Sequence, residues 1–193
     1  MAENEWTRIL DGLRIGDHAI LLYNDFGGLY PPVIRFMTQG LQANELVVVL
    51  LPVEEIASWR DLFDEVLSRA QSGETSGSLQ IIPLLPSRLT QDTGPLDVVS
   101  MVRRLLKDAE AENRTGVRVV ARLAPALLDK GYDRNAIAIE KFAAAQRFPL
   151  KTLCLYEAAA ITKAAAGVVQ DVVGAHTHSI AHVSQDVYLA EVF

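Results

Sequence analysis

The sequence predicts an α/β fold built on a mostly parallel sheet. Two observations carry this. Short, β-branched apolar runs alternate with longer stretches of helical spacing along the chain, which is the pattern of βαβ units. The run Leu46 to Leu51 is apolar without a break, as expected of a strand covered on both faces.

Each element follows in order. His18 to Tyr23 reads as the first strand, and Asn24 to Gly28 as a loop by its turn chemistry. Leu29, Val33, Phe36, Met37 and Leu41 fall at helical spacing, with Pro31 and Pro32 expected in the first turn, where a missing N–H is tolerated. After the Leu46 strand, Ile56, Trp59, Phe63, Val66, Leu67 and Ala70 form one helical stripe. Ser72 to Ser78 reads as a flexible polar loop. Leu79 to Ile82 is a short strand, expected to break at Pro83 and Pro86. Thr93-Gly94-Pro95 opens a third helix, with Val98, Val102, Leu105, Leu106 and Ala109 inward. Val117 to Leu123 is a strand, Asp133 to about Arg147 an Ala-rich helix, Leu150 to Tyr156 a strand, and Ala158 to Val173 one further helix. Thr177 to Phe193 is expected to add one or two strands.

Composition bounds the function. Of 193 residues, 50% are hydrophobic and 22% charged, which excludes a disordered chain and supports one domain over residues 1–193. Eighteen Lys and Arg against 24 Asp and Glu argue against direct nucleic-acid binding, which needs a basic face. The acidic start, Met1 to Trp6, lacks the basic and apolar regions of a signal peptide, and no run approaches the ~20 apolar residues of a membrane span. Cys154 is the single cysteine and fits a reducing compartment. The expectation is a cytoplasmic protein without a membrane partner.

In parallel sheets, ligands bind beyond the carboxyl ends of the strands. That rule selects Tyr23-Asn24-Asp25, Pro52 to Glu55, Leu84 to Arg88, Arg122 to Pro125, and Tyr156-Glu157. A nucleotide-binding loop would follow the first strand, yet Asn24 to Tyr30 holds no lysine, no glycine in the chain precedes a lysine, and Asp25 would repel phosphate. There is no G-x-S-x-G elbow, and Cys154 lies in an apolar run that makes a thiol unreactive. No catalytic residue, metal or cofactor is therefore assigned.

Other residues keep two readings open. His176, His178 and His182 would share one face of a strand, but the outer two would lie ~20 Å apart by strand rise. His176 and His178 would need a third metal ligand, such as Glu157 or His18, and polar histidines at a sheet edge are the plainer expectation. Glu54 and Glu55 could act as general base or ligand contact, but are favoured as helix-opening carboxylates. Arg122 closes an apolar strand, where its charge demands either a salt bridge or an anion. Tyr23 and Tyr156 suit either a pocket wall or core packing.

Gly16-Asp17-His18-Ala19-Ile20-Leu21-Leu22-Tyr23, Phe36 to Leu41, Asn44 to Val49, Leu153 to Glu157 and Thr177-His178-Ser179-Ile180 together resemble the MEDS family, the DcmR-like sensory domains of methanogens and methylotrophs. The resemblance runs from about Leu13 to Tyr188. It implies a three-layer αβα sandwich, RecA/KaiC-like, that has lost its ATPase loop. It implies a non-catalytic sensory role, with a small organic or hydrocarbon-derived ligand. Asp17, His18, Tyr23, Cys154, Tyr156 and His178 match the family pattern. The twelve residues before Leu13 leave no space for a helix-turn-helix, so output is expected through a separate transcription regulator or signalling kinase, or through a homo-oligomer. The expected ligand-binding residues are His18, Tyr23, Asn24, Asp25, Glu54, Arg122, Tyr156, Glu157 and His178. Two competing readings are a self-associating or regulator-binding scaffold and a cryptic nucleotide- or metal-dependent hydrolase.

Overall fold

The computed structural model describes residues 5–71 and 77–182. The apolar runs form strands β1 (His18–Tyr23), β2 (Leu46–Pro52), β3 (Ser78–Leu84), β4 (Val117–Ala121), β5 (Lys151–Glu157) and β6 (His178–His182). All pair in parallel, in the order β3-β2-β4-β5-β1-β6. Helices α1 (Glu5–Gly12), α2 (Phe26–Gln42) and α3 (Arg60–Gln71) cover one face. Helices α4 (Pro95–Ala111), α5 (Leu123–Asp129), α6 (Asp133–Gln146), α7 (Ala158–Lys163) and α8 (Ala166–Gly174) cover the other. This is the expected three-layer sandwich.

Strand alternation distributes the side chains between the two layers. In β1, Ala19, Leu21 and Tyr23 pack toward α1–α3, while Ile20 packs toward α4–α8. In β5, Leu153 and Leu155 face the first layer, and Cys154 and Tyr156 the second. Ile20 stands opposite Cys154, and His18 opposite Thr152. This register brings His18 beside Cys154 on one face.

Several expectations are corrected. Helix α2 begins at Phe26, because the Asp25 carboxylate caps it by accepting the Gly28 N–H at 2.8 Å. Pro31 and Pro32 therefore lie inside the helix, and the bonds they cannot make are those to the carbonyls of Gly27 and Gly28, four residues back. Strand β3 runs through Pro83, which is tolerated because β3 is an edge strand. Strand β4 stops at Ala121; Leu123–Asp129, apolar and buried up to Leu128 and holding Pro125, is helix α5. The single helix expected over 158–173 is divided at Ala164 and Ala165, both extended, so that Ile161 and the Val172-Val173 pair each reach the core. His176 lies before β6 rather than on it. Residues 72–76 of the polar loop and the tail beyond His182 lie outside the described residues.

Candidate functional site

Three arrangements of polar groups bear on function. The first is at the carboxyl ends of the strands. Arg122 follows β4, is 4% exposed, and donates from Nη1 to the Tyr23 hydroxyl at 2.9 Å. Its Nη2 meets Glu55 Oε1 at 2.8 Å and Asp129 Oδ2 at 3.3 Å. The guanidinium has two carboxylate partners from the protein itself, while its buried Nε has none among the described residues. Burial pushes the Tyr23 phenol well up, with Arg122 opposing, so the ring stays neutral. Burial also raises the Asp129 carboxyl, again against Arg122.

Around this cluster, Asn24, Glu54 and Glu157 are exposed at the carboxyl edge, and Asp25 is engaged in its cap. Beyond the end of β3 lies a groove of about 610 Å³. Leu84, Leu85, Met101 and Leu123 line it, with Arg88 and Arg104 among its polar residues.

The third arrangement is buried between the sheet and α6. Glu140 is 1% exposed, and a carboxylate so placed must be satisfied. Tyr156 donates to its Oε1 at 2.5 Å. His18 Nε2 stands 3.1 Å from Oε2, His176 Nε2 3.6 Å, and Cys154 Sγ 3.9 Å. His18 Nε2 is also 3.1 Å from Cys154 Sγ, and the two imidazoles are 4.1 Å apart between centroids. Burial alone would raise the Glu140 carboxyl, but His176, His18 and Tyr156 outweigh it and hold it at about 2. Desolvation lowers His176 to about 4 despite Glu140. It raises both the Cys154 thiol and the Tyr156 phenol, and Glu140 adds to each.

The family model for the MEDS domain, the MEthanogen/methylotroph, DcmR Sensory domain, matches residues 17–177. The chain belongs to the MEDS family. The matched span contains β1 to β5 and every residue of the three arrangements. A solved protein from Pyrococcus horikoshii OT3 is similar in fold, at 10% identity and a TM-score of 0.55, over 93% of this chain and 88% of that one. No curated protein matches the chain. Among the described residues of this MEDS domain, no helix is long and apolar enough to cross a membrane.

The MEDS fold redistributes the residues singled out from the sequence. Tyr23 and Arg122 meet each other, whereas Tyr156 faces the opposite side of the sheet and joins His18. His178 sits on β6 beside the Thr177 hydroxyl, at 2.9 Å, and is not part of the buried group. Cys154 is not in wholly apolar surroundings: an imidazole and a carboxylate face it. Glu55, Asp129 and Glu140 are the polar partners that sequence reasoning did not assign. Glu140 leaves a trace, since it falls on the same helical stripe as the buried Ala136 and Ile139, where an acid is out of place.

Proposed function

We propose that this MEDS chain is a non-catalytic sensor that binds a small organic molecule and acts through a separate partner. The groove of about 610 Å³ beyond β3 is the observation that carries the reading. Its volume is in the range of small-molecule sites, and it lies where parallel sheets receive ligands. Leu84, Leu85, Met101 and Leu123 suit an apolar body, while Arg88 and Arg104, with Asp92 and Asp97 in the same lining, suit a polar end. A second feature supports sensing over nucleotide hydrolysis. The amino end of α2 follows β1, where a phosphate loop would be, and the Asp25 carboxylate already occupies it. An anion there would meet like charge.

Thermal shift of the full chain tests this reading against small organic acids, alcohols, other hydrocarbon derivatives and nucleotides. A ligand at a hundred times its Kd adds about 2.7 kcal/mol to stability. Ser100 lines the groove and is exposed, so Ser100→Trp fills the space without entering the core. We expect one organic class to raise the melting temperature and Ser100→Trp to remove the effect. A panel without any shift, or a shift that survives Ser100→Trp, overturns the groove reading.

A further inference from the structure

The buried group on α6 presents a chemical problem that the ligand groove does not address. His176 Nδ1 lies 2.7 Å from the Val172 carbonyl, which can only accept, so Nδ1 carries a hydrogen. In the neutral ring, Nε2 then presents a lone pair. That nitrogen stands 3.6 Å from Glu140 Oε2 and has no hydrogen-bond partner. The side chains of His176 and Glu140 are 0% and 2% exposed, so water does not separate the two acceptors. Something positive between them would resolve the conflict.

The distances indicate what fits. A tetrahedral ion with bonds of about 2.0–2.3 Å to N, O and S has ligand atoms about 3.3–3.7 Å apart. Here His18 Nε2 is 3.1 Å from both Glu140 Oε2 and Cys154 Sγ, His176 Nε2 is 3.6 Å from Oε2, and Sγ is 3.9 Å from Oε2. All four ligand atoms lie within 4.8 Å of one another. We propose that His18, Glu140, Cys154 and His176 form a closed tetrahedral site for a zinc-like divalent cation.

The charges close as well as the distances. Binding releases the Cys154 thiol proton to solvent and forms a metal–thiolate bond. One thiolate, one carboxylate, two neutral imidazoles and one divalent ion sum to zero, so the buried site carries no net charge. Two of the outer groups are in place. The Val172 carbonyl fixes the His176 tautomer, and Tyr156, donating to Oε1, leaves Oε2 to the ion, whereas His18 Nδ1 is buried without a partner among the described residues. A thiolate with two imidazoles favours zinc or cobalt over magnesium or calcium. Four protein ligands leave no open position for a reacting water, so the ion is structural or regulatory. It would tie α6 and the turn after α8 to β1 and β5, on the face opposite Arg122 and Tyr23.

Cobalt titration of the full chain, stripped with chelator, tests the site. We expect saturation at one equivalent per chain, with the thiolate charge-transfer band and the intense visible bands of tetrahedral cobalt. Zinc should then displace the cobalt and abolish both bands in the unaltered protein, which requires no variant to fold. Cys154→Ser, nearly isosteric, should lose the charge-transfer band. Tyr156→Phe should weaken cobalt binding roughly 10- to 100-fold, as expected when a supporting hydrogen bond is lost. His178→Ala should bind as the unaltered chain does. Absence of saturable bands, a charge-transfer band that persists in Cys154→Ser, or an equal loss in His178→Ala overturns the proposal. No organic ligand enters this titration, so it and the groove experiment fail independently.

Discussion

Arg122 holds a full charge at 4% exposure, and its partners are unequally buried: Glu55 is 28% exposed and Asp129 39% by side chain. The two ends of the cluster should therefore respond differently to substitution. Removing either carboxylate leaves the guanidinium with the other and with Tyr23. Removing the guanidinium frees two carboxylates that water can reach in part. The damage then lies in the lost packing and in the orphaned Tyr23 hydroxyl, since a buried unsatisfied polar group costs about 1–3 kcal/mol. We expect Arg122→Met to lower stability by about 1–3 kcal/mol, and Glu55→Gln or Asp129→Asn each by less than about 1 kcal/mol. The double substitution Glu55→Gln/Asp129→Asn strands a buried cation and should exceed the sum of the singles. Urea unfolding of the four variants measures this. Additive behaviour would mean that Arg122 is held by Tyr23 and water rather than by its carboxylates.

At the scale of elements, the two glycines that close α2 against the sheet are informative. A Cβ at Gly77, where the chain enters β3, would stand 2.6 Å from the Leu41 Cα and 2.7 Å from its carbonyl oxygen. Backbone cannot yield as a side chain does, so Gly77→Ala should cost at least the 1–3 kcal/mol typical of overpacking. At Gly40 the added Cβ would meet Val47 Cγ2 at 2.7 Å and Arg118 Cδ at 2.8 Å. These are side-chain atoms, and alanine regains about 1 kcal/mol of helix propensity, so Gly40→Ala should cost less than Gly77→Ala. Comparing the two melting temperatures decides the order; a reversal would place the closer contact at the Arg118 side. The strands were legible because a fully buried strand must be apolar at every position, as β2 is. Helix α5 was not legible, because its first six residues, Leu123 to Leu128, are as apolar as a buried strand and read as a continuation of the one before. Helix α1 offers too few turns to show a period. The buried His18–Glu140–Cys154–His176 group was half legible. The sequence offers His18 and His176 together as metal ligands, with His178 or Glu157, and Cys154 only as an unreactive thiol; the meeting of all four depends on the register of β1 with β5 and on how α6 lies across the sheet. Neither is written in local spacing.

Across the whole molecule, charge is arranged so that acid should loosen the outer layer first. The chain carries a net charge of −6, and its carboxylates respond unequally to the fold. Asp11 on α1 accepts from Arg35 Nε at 2.7 Å and from Gln39 at 2.5 Å, pinning α1 to α2. The Arg35 hydrogen bond above all holds its carboxyl below the usual value against burial, the next largest effect, with Gln39 helping. Arg114, with Ser78, likewise lowers exposed Glu112 at the end of α4. A carboxyl lowered by folding contributes stability that is complete above its unfolded value, about 4, and is lost as pH falls through the folded value. Asp129, raised by burial, acts in the opposite sense: the unfolded chain loses its proton more readily, so its effect favours the folded state only at low pH. Asp11 therefore sets the acid slope of the α1–α2 layer, while Glu112 acts at the end of α4 on the other face. Asp11→Asn should melt below the unaltered chain at pH 7, show a shallower fall between about pH 5 and 3, and meet it at the acid end. Because Asp11 and Arg35 are each about a third exposed, with side-chain values of 33% and 38%, added salt should narrow the gap at pH 7. Melting curves for the two proteins that stay parallel from pH 7 to pH 3 would show that α1 is held by Leu10 and its apolar neighbours alone.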